Sequence, residues 1–238
     1  MRIRAIFRDL KEDAVRRPKL FALYFILRLL VIGVLVLQVT NANWDNVLWC
    51  IVTLILFTLP SFLEKRVKID IPDTLEVIVL FFAFAAEILG EIAQFYKSVP
   101  LWDTILHTSN GFLAAAIGLA LIDILNREER FAINLSPRFV GIFAFCFSMT
   151  IGVIWEFFEF FMDTTFGMDM QKDTIIDGVY DIGLIDTMKD LIVNFIGALV
   201  FSILGYFYIK NRGRGKHANF VRRFVMTKID KSDEDKNM

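Results

Sequence analysis

Only two cysteines, Cys50 and Cys146, occur in the 238 residues, too few to staple a secreted disulfide scaffold. Neither sign of charge predominates: 26 Lys and Arg stand against 27 Asp and Glu, a formal net charge of -1. That balance excludes the broad basic surface of a general nucleic-acid binder, so no nucleic-acid partner is expected. A Walker loop, HExxH, GxSxG and paired CxxC motifs are all missing. Disorder is excluded as well, because 56% of the residues are hydrophobic and 25 are Phe.

What is present is apolar sequence in long runs, with a mean hydropathy of +0.54. A spanning helix needs about 20 mostly apolar residues. Six stretches meet that length: 19–39, 47–63, 74–96, 103–125, 138–162 and 187–209. The expected fold class is therefore all-α, a polytopic membrane protein built as a bundle of six transmembrane helices. It divides into an amphipathic arm (1–18), the six-helix domain (19–209) and a tail (210–238). Pro60 leaves the end of the second stretch the least sharply drawn. The first stretch reads as a span, not a signal peptide, because its apolar run is long and seventeen polar-rich residues precede it. Thr40-Asn41-Ala42 is the one segment that imitates a cleavage site.

Basic residues set the orientation through the positive-inside rule. The arm and first residue of span one carry seven Lys/Arg, the 64–73 and 126–138 loops three each, and the tail from Lys210 nine. The alternate side carries only Lys97, Lys172 and Lys189. Both termini are expected in the cytoplasm of a multi-pass protein of the cell (cytoplasmic) membrane. In the arm, Ile3, Ile6, Phe7, Leu10 and Ala14 recur at helical spacing among arginines, which suits the anionic inner leaflet. Membrane lipids are thus the first expected partners, and protein partners are left unspecified. The tail, basic and then acidic, is expected to be mobile.

Topology turns a scatter of acids into a pattern. Glu87 and Glu91 fall in the outer half of span three, and Asp103, His107 and Asn110 in that of span four. Glu156, Glu159 and Asp163 close span five, while Asp186, Asp190 and Asn194 open span six. Each set repeats at three or four residues, so each occupies one helix face. Lipid does not solvate such faces, which therefore turn toward the bundle interior. Spans one and two, poor in these residues, are expected to pack as a peripheral pair. Gly111, Ala114, Ala115, Gly118, Gly152, Gly197, Ala198 and Gly205 permit close helix approach, the ordinary role of small residues in membranes.

Six carboxylates, those of Glu87, Glu91, Asp103, Glu156, Glu159 and Asp190, share this region with no Arg and only Lys189 at its margin. Two like charges at 4 Å repel by about 4 kcal/mol at an effective dielectric of 20. Protonation, water or a bound cation must relieve that repulsion. Oxygen donors suit Mg, Ca or Mn, and adding His107 admits Zn or Mn. His107, Glu156, Glu159 and Asp190 are the candidate metal ligands and catalytic groups. Glu87, Glu91, Asp103, Asn110, Asp186 and Asn194 are the supporting polar set.

Plainer readings stand beside this one. Asp103, Asp163 and Asp186 suit the wet interface, Asp103 and Asp186 suit helix N-caps, and a membrane His often just bonds a neighbouring helix. The 163–186 loop lacks EF-hand spacing, and its apolar residues suit a segment lying on the interface over the site. The Asn134-Leu135-Ser136 sequon is followed by Pro137 and falls on the cytoplasmic side. Cys50 and Cys146 fall at different depths and read as apolar packing.

Several strings carry a family likeness: Leu106-His107 with Gly111; Trp155-Glu156-Phe157-Phe158-Glu159; and Asp186-Thr187-Met188-Lys189-Asp190 with Asn194 and Gly197-Ala198. Together they resemble the YjdF-like family of uncharacterised bacterial membrane proteins over roughly spans three to six. The last string and Glu91-Ile92-Ala93-Gln94 are more distantly similar to VanZ-type proteins, although the Arg that accompanies the latter element is missing. The resemblance implies a small polytopic membrane protein and assigns no catalytic role. Three functions are compatible with the residues. One is a metal-dependent enzyme acting on an envelope or lipid-linked substrate at the outer leaflet. The second is a scaffold or partner-binding protein without catalysis. The third is a cation- or proton-coupled transporter, disfavoured by the off-centre polar residues and the lack of an internal repeat.

Overall fold

The computed structural model describes residues 15, 17–67, 71–127, 135–172, 174–176, 179–181, 183–211, 214 and 217–225. Apart from one short hairpin, the regular structure among these residues is helical. Among the described residues five helices are long and apolar enough to cross a membrane: Pro18–Thr40, Trp44–Phe62, Trp102–Asp123, Pro137–Phe166 and Leu184–Lys210. The chain is a polytopic helical protein that divides into two compact units, Met1–Pro100 and Leu101–Met238.

In the first unit, α1 (Pro18–Thr40) pairs with α2 (Trp44–Leu56). The helix breaks at Phe57 and Thr58 and resumes as α3 (Leu59–Val67), with Pro60 in its first turn. Proline lacks an amide hydrogen and is tolerated there but not in a helix interior. Arg28, inside α1, donates to the Phe57 carbonyl at this break (3.1 Å) and lies over the Tyr24 ring, 5.1 Å from its centre. Leu20, Tyr24, Leu27, Val31, Cys50 and Phe57 belong to the core of the unit, while Phe25, Leu29, Leu30 and Leu37 stay exposed as lipid-facing residues would.

The stretch expected as a single third span is divided. It begins as α4 (Asp73–Ala83) and continues as a π-helix, Phe84–Ile92, ending before Gln94 in a left-handed conformation. A short α5 (Phe95–Ser98) follows, and Tyr96 folds over Gly90 so closely that a Cβ there would meet its ring at 2.4 Å. This segment packs on α2 in the first unit. A polar knot lies at the start of α4. Arg17 Nη1 reaches Glu76 Oε2 (3.1 Å), Glu64 Oε1 (3.4 Å) and Asp73 Oδ1 (3.6 Å), and the Tyr24 hydroxyl donates to Glu76 Oε1 (2.5 Å). Removing a buried hydrogen-bond partner of a charged group costs about 1–3 kcal/mol. Tyr24→Phe is therefore expected to lower the thermal unfolding midpoint in detergent, read by loss of helical circular dichroism.

The second unit is three long helices, α6 (Trp102–Arg127), α7 (Pro137–Phe166) and α8 (Leu184–Lys210), each packed on the other two. Ser136 opens α7 by accepting the Phe139 amide, with Pro137 at its first position. Small residues set the close approach of α6 and α8: a Cβ on Gly111 would meet the Asn194 carbonyl oxygen at 2.0 Å, and one on Gly197 the Thr108 oxygen at 2.1 Å. Ser148 of α7 donates to the Gly111 carbonyl (2.7 Å), tying the third helix to the same point. Between α7 and α8, β1 (Thr174–Ile176) and β2 (Val179–Asp181) form an antiparallel hairpin.

The tail departs from expectation. Residues Ala218–Val225 form α9, which lays Ala218, Val221, Phe224 and Val225 against α6 and α8, with Phe224 5.4 Å from Phe201 and 6.0 Å from Phe112. Four apolar residues at helical spacing find a groove to fill, which outweighs the basic character that suggested mobility. The apolar positions of the amino-terminal arm and the acidic end of the tail lie outside the described residues.

Candidate functional site

Three helices and one connection of the second unit converge around His107. Asp103 and His107 stand one turn apart on α6, Glu156 lies on α7, and Asp186 and Asp190 lie one turn apart on α8. His107 Nε2 is 3.5 Å from Asp103 Oδ1 and 3.7 Å from Asp190 Oδ2, while Nδ1 is 3.8 Å from Glu156 Oε1. One ligand atom each from Asp103, His107 and Asp190 falls within 4.8 Å of the other two. Metal bonds of about 2.1 Å place neighbouring donors about 3.0–3.4 Å apart; the two contacts to His107 are within tenths of an ångström of that, while a pair at the 4.8 Å limit of the trio would have to close by about 1.5 Å around a single cation. His107, Glu156 and Asp190 are 7%, 5% and 3% exposed, so charge placed on them has little water to stabilise it. Glu156 Oε2 is buried with no hydrogen-bond partner among the described residues.

Lys172 supplies a positive charge that the spacing of the acids did not reveal. Its Nζ lies 2.8 Å from Asp103 Oδ2 and 4.0 Å from Asp186 Oδ2. This corrects the expectation that Lys189 was the region's one marginal base, since Lys189 is exposed and Lys172 turns inward. Burial works against its charge, but Asp103 above all, with Asp186 and Asp190, more than offsets this and holds the ammonium above the ordinary lysine range.

The path of the connection explains how Lys172 arrives. Gly167 caps α7 in the left-handed region (φ 66°) and turns the chain back. The Asp163 carboxylate then accepts the Met170 and Gln171 amides at 2.7 and 2.8 Å. Gln171 Nε2 donates to Thr187 Oγ1 on α8 (2.8 Å), and its own Cβ packs where a Cβ on Gly183 would sit, 2.5 Å away. Lys172 is held between these fixings at φ 39°, a conformation that non-glycine residues adopt only when their surroundings impose it. Asp163, read from sequence as part of the α7 acidic stripe, thus holds the loop.

The remaining sequence candidates fall elsewhere. Asn194 lies one turn from Asp190, where its Oδ1 accepts Asn110 Nδ2 (3.0 Å) and its Nδ2 faces Met149 Sδ (3.6 Å), joining all three helices. Glu159 is buried one turn from Glu156, and its Oε1 accepts the Trp155 indole N–H (2.7 Å). Glu159 is outside the trio of converging donors among the described residues, whereas Asp103, which spacing alone left in a supporting role, is within it. Glu87 and Glu91 belong to the first unit, on its π-helix. Glu87 is buried, and the Glu91 carbonyl accepts Gln94 Nε2 (2.6 Å).

The helices and the buried carboxylate–histidine cluster define a class: an integral membrane protein with several apolar helices and an ionisable group inside them. The chain belongs to the family described as "Predicted membrane protein (DUF2238)", whose family model matches residues 21–211. It is also similar to an uncharacterized protein of Thermotoga maritima, 30% identical over 156 residues, which are 65% of this chain and 72% of the relative. No solved structure matches.

Proposed function

We propose that the protein is a divalent-cation-dependent membrane enzyme whose site opens toward the extracytoplasmic leaflet of the cell membrane and acts on an envelope or lipid-linked substrate. The observation that carries this is the convergence of Asp103, His107 and Asp190 donor atoms within 4.8 Å, with His107 and Asp190 buried and Asp103 half-buried. In this reading Asp103, His107 Nε2 and Asp190 hold the cation, leaving positions for water and substrate, as catalytic metal sites require. Glu156 Oε1 approaches the opposite ring nitrogen, the place of a carboxylate that orients a metal-bound imidazole.

The orientation rests on the Lys/Arg asymmetry of the loops, with 74–96 taken as the remaining crossing despite its division into α4 and the π-helix, and with both termini cytoplasmic. The YjdF-like resemblance agrees with such a protein without adding chemistry. A cysteine at Asp169 is expected to react with an impermeant maleimide on intact cells, whereas one at Lys65 reacts only after permeabilisation. The reverse pattern contradicts the orientation. Catalysis is tested in nanodiscs of bacterial lipid extract, chelator-stripped and reloaded with Mn2+. A cleaved lipid product, seen by mass spectrometry, is expected for the loaded wild type and not for Asp190→Ala. Unchanged lipids in every arm contradict the enzymatic reading.

A further inference from the structure

We infer that the group recognised at this site is a tetrahedral phosphoryl anion, held by the cation on one side and by the Lys172 ammonium on the other. The inference rests on the reading above, and deepens it by naming the substrate's reacting group. Its basis is how Asp103 is shared: Oδ1 faces His107 Nε2 at 3.5 Å, and Oδ2 faces Lys172 Nζ at 2.8 Å. The proposed cation position and the ammonium therefore lie on either side of one carboxylate. An anion with several oxygens on one centre can place one on each. A neutral ester or amide offers one strong acceptor, its carbonyl oxygen, beside a weakly basic alkoxy oxygen or amide nitrogen, and a cationic headgroup is repelled by both positive charges.

Lysine offers a compact, strongly charged contact for phosphate oxygens. Lys172 is fixed in place through Asp163, Gln171 and Thr187, so little ordering cost attends its use. On α7, Phe157, Phe160 and Phe161, flanking Glu156 and Glu159, are 68%, 56% and 53% exposed, an apolar approach suited to a phosphate carried on a lipid.

The test measures 31P relaxation of inorganic phosphate with Mn2+-loaded protein in detergent, after subtracting the effect of free Mn2+. Strong broadening is expected for wild type and for Lys172→Arg. With Lys172→Met, phosphate affinity is expected to fall by about tenfold, while Mn2+ affinity is unchanged or higher because a like charge has been removed. Equal broadening with Lys172→Met, or none with a wild type that binds Mn2+, overturns the phosphoryl assignment alone. Failure of wild type to bind Mn2+ overturns the underlying metal reading instead. Nanodiscs separate the two sources of phosphate. Displacement of phosphate by phosphatidic acid but not by phosphatidylcholine assigns the lipid headgroup, and no displacement by either assigns free phosphate.

Discussion

Alanine at Asp190 is expected to weaken divalent-cation binding by about a hundredfold or more. Replacing an outer partner that merely orients a ligand typically costs about 10–100-fold, and Asp190 is placed to contribute both a donor atom and a negative charge. A hundredfold corresponds to about 2.7 kcal/mol. Its Oδ2 lies 3.7 Å from His107 Nε2 on a residue only 3% exposed, so water is poorly placed to replace it. Glu156→Gln is expected to lie within the outer-partner range. Glu159→Gln is expected to change affinity by less than about threefold, since the indole of Trp155 occupies its oxygen. Calorimetric titration with Mn2+ checks the ranking. An Asp190→Ala protein that binds like wild type contradicts the assignment.

Gly111→Ala is expected to be more damaging than its single methyl group suggests. The new Cβ would meet the Asn194 carbonyl oxygen at 2.0 Å and its carbonyl carbon at 2.8 Å, and backbone cannot rotate aside as a side chain does. Overpacking of this kind costs about 1–3 kcal/mol, and here relief requires α6 and α8 to separate. His107 lies one turn from Gly111 and Asp190 one turn from Asn194, so the same separation pulls the two ligands apart. Both a lower unfolding midpoint and weaker Mn2+ binding are expected. Gly33→Ala, with nothing within 4 Å of the new methyl, is the matched control and is expected to be neutral. A Gly111→Ala protein indistinguishable from this control would show that the helix contact does not position the site.

Much of this arrangement is legible in the order of residues. Apolar length identifies the helices, and the four-residue spacing of Asp103 with His107, and of Asp186 with Asp190, puts each pair on one face. What spacing does not carry is the path of an irregular segment. Lys172 reaches Asp103 because Gly167 reverses the chain and Asp163 captures two amides, and neither effect has a periodic signature. The division of 74–96 is hidden for a related reason: Phe84–Ile92 is as apolar as a regular helix, and nothing in its residue spacing distinguishes π from α geometry. Helix α9 is masked in the sequence by the basic residues around it, since only Ala218, Val221, Phe224 and Val225 share its one buried face.

The central claim is that Asp103, His107 and Asp190, the last two buried and the first half-buried, hold a divalent cation. Elemental analysis of detergent-purified protein tests it most directly, after dialysis against metal-free buffer and reloading with Mn2+ or Zn2+. About one ion per chain is expected for wild type, falling to background in the His107→Ala/Asp190→Ala double variant. Wild type at background, or a double variant that retains its ion, would contradict the account.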